Sequence, residues 1–326
     1  MTQAPATSQA LLPASPSIVL PDDELGRRVA EDLSLPRSGV EAVLKLLSEK
    51  ATVPFIARYR KEATGALDEV QIRAIEERHT YLVELEDRRR TILQTIAGQD
   101  KLTDTLRAKI LACTSKTALE DLYLPYKPKR RTRAIIAKER GLQALADLIL
   151  GQEKTGSPSG DAAAFVDQAK GVDDVGAALA GARDIVAETV AEAAEIRAMV
   201  RRFVAETGSF TAEPTKAAKE ARTKFEQYYD FNEPIRTIPS HRFLALRRGE
   251  REKMLRVRVD ADATRILPRI ESQMKVDAAS PWAGGLRDAI ADSYQRLLSP
   301  AIENDMRLDV KRRADEAAVD VFAENL

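Results

Sequence analysis

Residues 241–262, HRFLALRRGEREKMLRVRVDAD, carry the clearest change of apolar period in the chain. Phe243, Ala245 and Arg247 alternate with Leu244 and Leu246. After a charged turn holding Gly249, Leu255, Val257 and Val259 alternate with Arg256 and Arg258. A period of two sends successive side chains to opposite faces of a strand, and two such runs around a glycine-containing break predict a β-hairpin near 241–260. With that hairpin the expected class is mainly α with one small β element.

The flanking sequence has helical spacing. In PDDELGRRVAEDLSL, residues 21–35, Asp22 or Asp23 can cap a helix on which Leu25, Val29 and Leu33 form one buried stripe. Pro36 stops it, Ser38 can cap a second helix carrying Val40, Val43, Leu44 and Leu47, and the two are expected to pack antiparallel. Thr52 caps a short helix with Pro54 in its first turn and Gly65 at its end. A long helix follows from Asp68 to about Ala97, closed by Gly98, and LTDTLRAKILACTS and KTALEDLYL form a further pair. Beyond Thr132 a helical pattern contains Gly141, and GQEKTGSPSG, residues 151–160, reads as a mobile surface loop. The alanine-rich run between Asp174 and Thr207 favours closely packed helix, and TKAAKEARTKFEQYYDF extends the helical pattern to Pro234. Helices resume from Pro281. The opening MTQAPATSQALLPASPS lacks both a basic start and a continuous apolar core, which excludes a signal peptide and predicts a disordered tail over 1–20.

Composition narrows the function. Lys plus Arg and Asp plus Glu number 51 each among 326 residues, so attraction to a polyanion has to come from local clustering rather than net charge. Cys113 is the single cysteine, which excludes an internal disulfide and any cysteine-based zinc cluster; it reads as a small buried apolar residue. Only His79 and His241 are present, and no run reaches the length of a membrane span. No nucleophile with a base and no phosphate-binding glycine loop stands out, so no cofactor, metal or enzymatic activity is expected. WAGGL has no strand before it and no lysine after it, and Gly284 and Gly285 read as a turn. The carboxylate pairs Asp22 with Asp23 and Asp173 with Asp174 sit where helix caps are expected.

Three basic clusters remain. In LEDRRRTI, Arg88 and Arg90 follow Glu84 and Glu86 by four residues, the spacing of ion pairs along a helix surface, and internal pairing is the preferred reading. In PFIARYRKE, Phe55, Ile56 and Tyr59 are expected to pack inward, leaving Arg58, Arg60 and Lys61 either as an internal salt-bridge hub or as phosphate contacts. In DLYLPYKPKRRTR, Lys127, Lys129, Arg130, Arg131 and Arg133 have no acidic residue among them, and Pro125 and Pro128 prevent a regular helix. These five project from an extended turn. They either face a polyanion through its phosphates or are neutralised by acids distant in sequence. Tyr123 and Tyr126 either stack on bases or are buried, with burial preferred.

TVPFIARYRKEATGALDEVQIR, ALEDLYLPYKPKRRTRA, KERGLQALA, YYDFNEPI, PSHRFLALRRGE and SYQRLLSPAIENDMR occur in the order in which the Tex family of bacterial transcription accessory proteins carries them, and from about Thr52 onward the chain resembles that family. The resemblance implies a cytoplasmic protein of transcription, related to a eukaryotic elongation factor that travels with RNA polymerase. Chain length suggests two units or one elongated multi-helical body, and the resemblance implies a helix-turn-helix-like N-terminal domain over 21–126 and a central helical region over 127–326. In the family these precede a ribonuclease H-like domain, helix-hairpin-helix units and an RNA-binding OB-fold. This sequence stops at VFAENL, where the ribonuclease H-like domain is expected to begin, so no position corresponds to that domain's acids and the piece is expected to be non-enzymatic. The expected function is binding of RNA or DNA through phosphates with little sequence specificity, using Lys127, Lys129, Arg130, Arg131, Arg133, Arg58, Arg60 and Lys61. The alternative is a helical scaffold that braces the absent domains and contacts RNA polymerase.

Overall fold

In the computed structural model of the protein, which describes residues 22–220 and 223–324, Ser240–Arg251 is a helix and Leu255–Asp260 a strand. The hairpin expected near 241–260 is therefore corrected. FLAL is apolar at every position, so it satisfies a period of 3.6 as well as a period of two, and burial chose the helix: Phe243, Leu246 and Gly249 face inward while Leu244 is exposed. The change of direction comes from a helix ending. Lys253 takes a left-handed φ of 60°, and Met254 N donates to Gly249 O at 2.9 Å, as in a Schellman motif. Gly249 is required by close packing, since a Cβ there would lie 2.6 Å from Leu255 Cδ1.

The described chain divides into two compact units at Glu120/Asp121, where the sequence suggested 126/127. The first contains α1 (Asp22–Leu33), α2 (Arg37–Ser48), α3 (Val53–Tyr59), α4 (Lys61–Thr64), α5 (Glu69–Ala97), α6 (Asp104–Leu111) and the start of α7 (Lys116–Tyr123). Asp68 and Gln71 start α5 with a reciprocal capping box, Gln71 N donating to Asp68 at 2.8 Å and Asp68 N donating to the Gln71 side chain at 3.1 Å. Against α5 pack α1, α2 and α3. Ser38 caps nothing; it lies in the first turn of α2, which follows Pro36. Arg89 is buried inside this unit, where it pairs with Glu86 and donates to Cys113 O at 2.6 Å. The LEDRRRTI arginines are thus paired internally, though through tertiary partners as well, since Arg88 reaches Glu120 at 2.5 Å.

The second unit comprises α8 (Arg133–Glu139), α9 (Gln143–Gly151), α10 (Pro158–Ala163), α11 (Val175–Glu192), α12 (Ala194–Thr207), β1 (Ser209–Pro214), α13 (Lys216–Glu220), β2 (Phe231–Pro234), α14 (Ser240–Arg251), β3 (Leu255–Asp260), α15 (Ala263–Gln273), α16 (Ala283–Asp292) and α17 (Ser299–Glu324). Gly141, at φ 88°, separates α8 from α9. Asp174 caps α11, accepting from Ala177 N at 2.7 Å, and α11 packs on α8, α9 and α16. The segment 151–160, expected to be loop throughout, contains the start of α10, capped by Ser157. Gly284 and Gly285 lie inside α16, not in a turn.

The chain is mainly α, as expected, and its β element is a three-stranded antiparallel sheet of order β2-β1-β3. Phe210 pairs with Glu233 on one side and Val259 on the other. Phe210, Ala212, Leu255 and Val257 are buried, and α14 packs against β3, while Glu213, Arg256 and Arg258 are exposed. Among the described residues, no helix is long and apolar enough to cross a membrane. The expected tail over 1–20 lies outside the described residues.

Candidate nucleic-acid interface

The basic turn begins at a buried carboxylate. Asp121 accepts from Arg197 Nε at 2.6 Å and from Arg201 Nη1 and Nη2 at 2.8 and 3.0 Å, and Arg201 Nε also donates to Asp305 at 3.0 Å. Burial acts against the charge on Arg201, but Asp121 and Asp305 more than offset it and raise its pKa above the usual arginine value. Residues from α12 and α17 thus hold the segment that precedes the turn. Leu124–Tyr126 then makes one 3-10 turn, Lys127 extends at φ −68° and ψ 134°, and Thr132 restarts helix as the cap of α8, accepting from Ile135 N at 3.1 Å.

The five cations of the turn have different surroundings. Lys129 Nζ lies 2.5 Å from Glu192 and 3.4 Å from Glu188, carboxylates on α11 that are themselves largely buried. Burial raises the pKa of Glu192, and Lys129 offsets only part of that rise. Arg131 pairs with Glu139 at 2.7 Å, with both side chains exposed. Arg133 is exposed, and its charge helps to lower the pKa of Asp184, whose net shift is upward because burial dominates. Lys127, Arg130 and Arg133 make no ion pair within 4.0 Å among the described residues, although all three are exposed. Neutralisation by acids distant in sequence, one of the two readings left open, therefore holds for Lys129, and Arg131 is paired as well, while Lys127, Arg130 and Arg133 stay exposed without an ion pair among the described residues. Tyr123 is buried and Tyr126 half-buried.

The cluster in the first unit departs from expectation. Val53, Ile56 and Ala57 form the buried stripe of α3, at spacings of three and four residues, and α3 packs on α5. Phe55 and Tyr59, expected to point inward, are 40% and 67% exposed, with ring centroids 5.4 Å apart. The physical reason is that a seven-residue helix packed mainly on α5 buries one narrow stripe, and Phe55 and Tyr59 flank it. The Arg60 guanidinium lies 5.3 Å from the Phe55 ring centroid, so it joins a cation–π pair instead of a salt-bridge hub. Arg58, Arg60 and Lys61 are exposed and make no ion pair among the described residues. The sequence signal for the exposed aromatics was the i, i+4 spacing of Phe55 and Tyr59 beside a stripe already complete without them.

Among the described residues, no group of three or more His, Cys, Asp or Glu side chains is placed to hold a metal ion. The chain is a two-unit helical protein with an exposed cationic cluster in each unit. It belongs to the Tex family: residues 153–322 match the Tex central region-like family and residues 23–97 the Tex-like protein N-terminal domain. It is similar to the transcriptional accessory protein Tex of Neisseria gonorrhoeae, at 41% identity over 308 residues, covering 92% of this chain and 40% of that protein. Protein tex of Bordetella pertussis is 41% identical over 312 residues, 92% of this chain and 39% of that protein. The human S1 RNA-binding domain-containing protein 1 is 27% identical over 307 residues, 87% of this chain and 30% of that protein. The chain thus spans about two fifths, or less, of the length of these curated relatives.

Proposed function

We propose that this chain is a non-enzymatic, nucleic-acid-binding part of a cytoplasmic transcription accessory protein, holding RNA or DNA through phosphates with little sequence discrimination. The observation that carries this reading is the set Lys127, Arg130 and Arg133, exposed and without ion pairs among the described residues, the first two on an extended turn that follows Asp121 and the third at the start of α8. Exposed cations without an ion-pair partner favour a polyanion, and phosphate contacts position a strand without reading bases. The names of the relatives, a transcriptional accessory protein and an S1 RNA-binding protein, support the same direction. Fluorescence anisotropy against short single-stranded RNA and duplex DNA at several salt concentrations tests it. Saturable binding that weakens steeply with salt is expected; absence of binding at low salt overturns it.

A second reading, a scaffold that contacts RNA polymerase, is favoured by the internal pairing of Lys129 with Glu188 and Glu192 and of Arg131 with Glu139. It expects the chain to capture RNA polymerase in a pull-down while failing the nucleic-acid titration.

A further inference from the structure

Among the residues whose exposure is described, Phe55 and Tyr59 are the only exposed Phe, Tyr or Trp side chains, and they stand side by side on α3. The Arg60 guanidinium covers part of Phe55, and its Nη1 donates to Tyr59 O at 3.4 Å, which ties the cation to the helix that carries both rings. Guanidinium, Phe55 and Tyr59 form a stepped plate, its two rings tilted 43° to each other, with Tyr59 the more open of the two. Around it Arg58 and Lys61 are also exposed; Glu62 is the single carboxylate in residues 53–65, against three cations. The backbone beneath the plate is held firmly. Thr64 is buried and donates to Arg60 O at 3.2 Å, Gly65 ends α4 at φ 71°, and Gly39 of α2 lies so close that a Cβ there would meet Thr64 O at 2.7 Å.

We infer that this plate is a stacking platform for the unpaired bases of a single-stranded nucleic acid, with Tyr59 meeting a base, Phe55 backing it and Arg58 and Lys61 meeting the flanking phosphates. The charge selects an anion, and the exposed rings select one that carries flat π faces. A duplex offers phosphates but keeps its bases stacked on one another, so it cannot use the rings; a single strand uses both. The inference shares with the preceding section the reading that the chain binds nucleic acid, but it concerns the other unit and assigns base contact, which the basic turn lacks.

The test is anisotropy titration of the whole chain with a short oligouridine and with its abasic analogue, which keeps the phosphates and lacks the bases. Tyr59→Ala should weaken oligouridine binding on the order of tenfold. Binding of the abasic strand should not change, and Tyr59→Phe, which keeps the ring, should bind like the parent. Arg58→Gln with Lys61→Gln should weaken both strands. An unchanged melting temperature in Tyr59→Ala confirms that the fold is intact. Lys127→Gln, Arg130→Gln and Arg133→Gln, combined in one variant, are titrated in parallel. If that variant binds like the parent while Tyr59→Ala weakens, the platform stands and the role of the turn fails; the reverse result overturns the platform alone. Equal loss of the abasic strand in Tyr59→Ala overturns base stacking. Unchanged RNA binding in Tyr59→Ala with reduced capture of RNA polymerase makes the plate a protein dock and also overturns the inference.

Discussion

The unequal pairing of the basic turn gives a quantitative salt prediction. Each phosphate neutralised on a single strand contributes about 0.7 to the slope of log affinity against log salt. Lys127, Arg130 and Arg133 carry no ion pair among the described residues, so replacing all three with Gln should lower the slope by about 2. Between about 50 and 200 mM salt, a fourfold change, the parent chain should then lose roughly 20-fold more affinity than the variant. Lys129 is the control. Its side chain is 23% exposed and lies between Glu188 and Glu192, so Lys129→Gln removes a cation already satisfied and should leave the slope unchanged. The assay is anisotropy with one labelled single strand across a salt series. A Lys129→Gln variant that lowers the slope as much as the triple variant, or a triple variant with the parent slope, refutes the assignment of free and satisfied cations.

Other expectations concern stability and pH. Asp121→Asn leaves Arg197 and Arg201, 11% and 17% exposed, without their shared carboxylate. Because Asp305 still pairs with Arg201, the loss should be roughly 2–4 kcal/mol, below the usual cost of breaking a buried pair, read as a lower urea midpoint; a loss under about 1 kcal/mol would contradict the hub. Glu192 has its folded pKa raised by burial, so its contribution to stability is present below the ordinary glutamate range and is lost as pH rises through the folded value. Glu192→Gln should therefore gain stability relative to the parent across that rise, and parallel urea-stability curves would contradict it. Gly249→Ala brings a Cβ to 2.6 Å from Leu255 Cδ1, and overpacking of about 1–3 kcal/mol should outweigh the ~0.5–1 kcal/mol that Ala gains over Gly in a helix. Combining it with Leu255→Ala should cost less than the sum of the single changes, as thermal melts of the four chains would show.

Legibility followed the range of the interactions. The α5 boundaries were readable because its capping box joins residues three positions apart and Gly98 follows its last turn. Pro125 and Pro128 declared the irregular turn, since a missing amide and a clashing ring act on their immediate neighbours. The same local logic placed Gly65 at a left-handed helix end and Asp174 at a cap. Family membership was legible too, through segments long enough to be specific. Less legible were β1 and β2, because SFTAEP and FNEP are short and each becomes a strand through a partner distant in sequence.

The sequence by itself determined a mainly helical chain, punctuated by proline, glycine and caps, with two cationic segments that lack an excess of local acids. Tertiary structure alone decided which of those cations are satisfied, because Glu188 and Glu192 reach Lys129 only after α11 has packed beside the turn. It also decided that FLAL is helix and that Phe55 and Tyr59 face outward. An apolar residue states that it can be buried, but which apolar residues are buried depends on how much surface the neighbouring elements present, and here α3 buries Val53, Ile56 and Ala57 first.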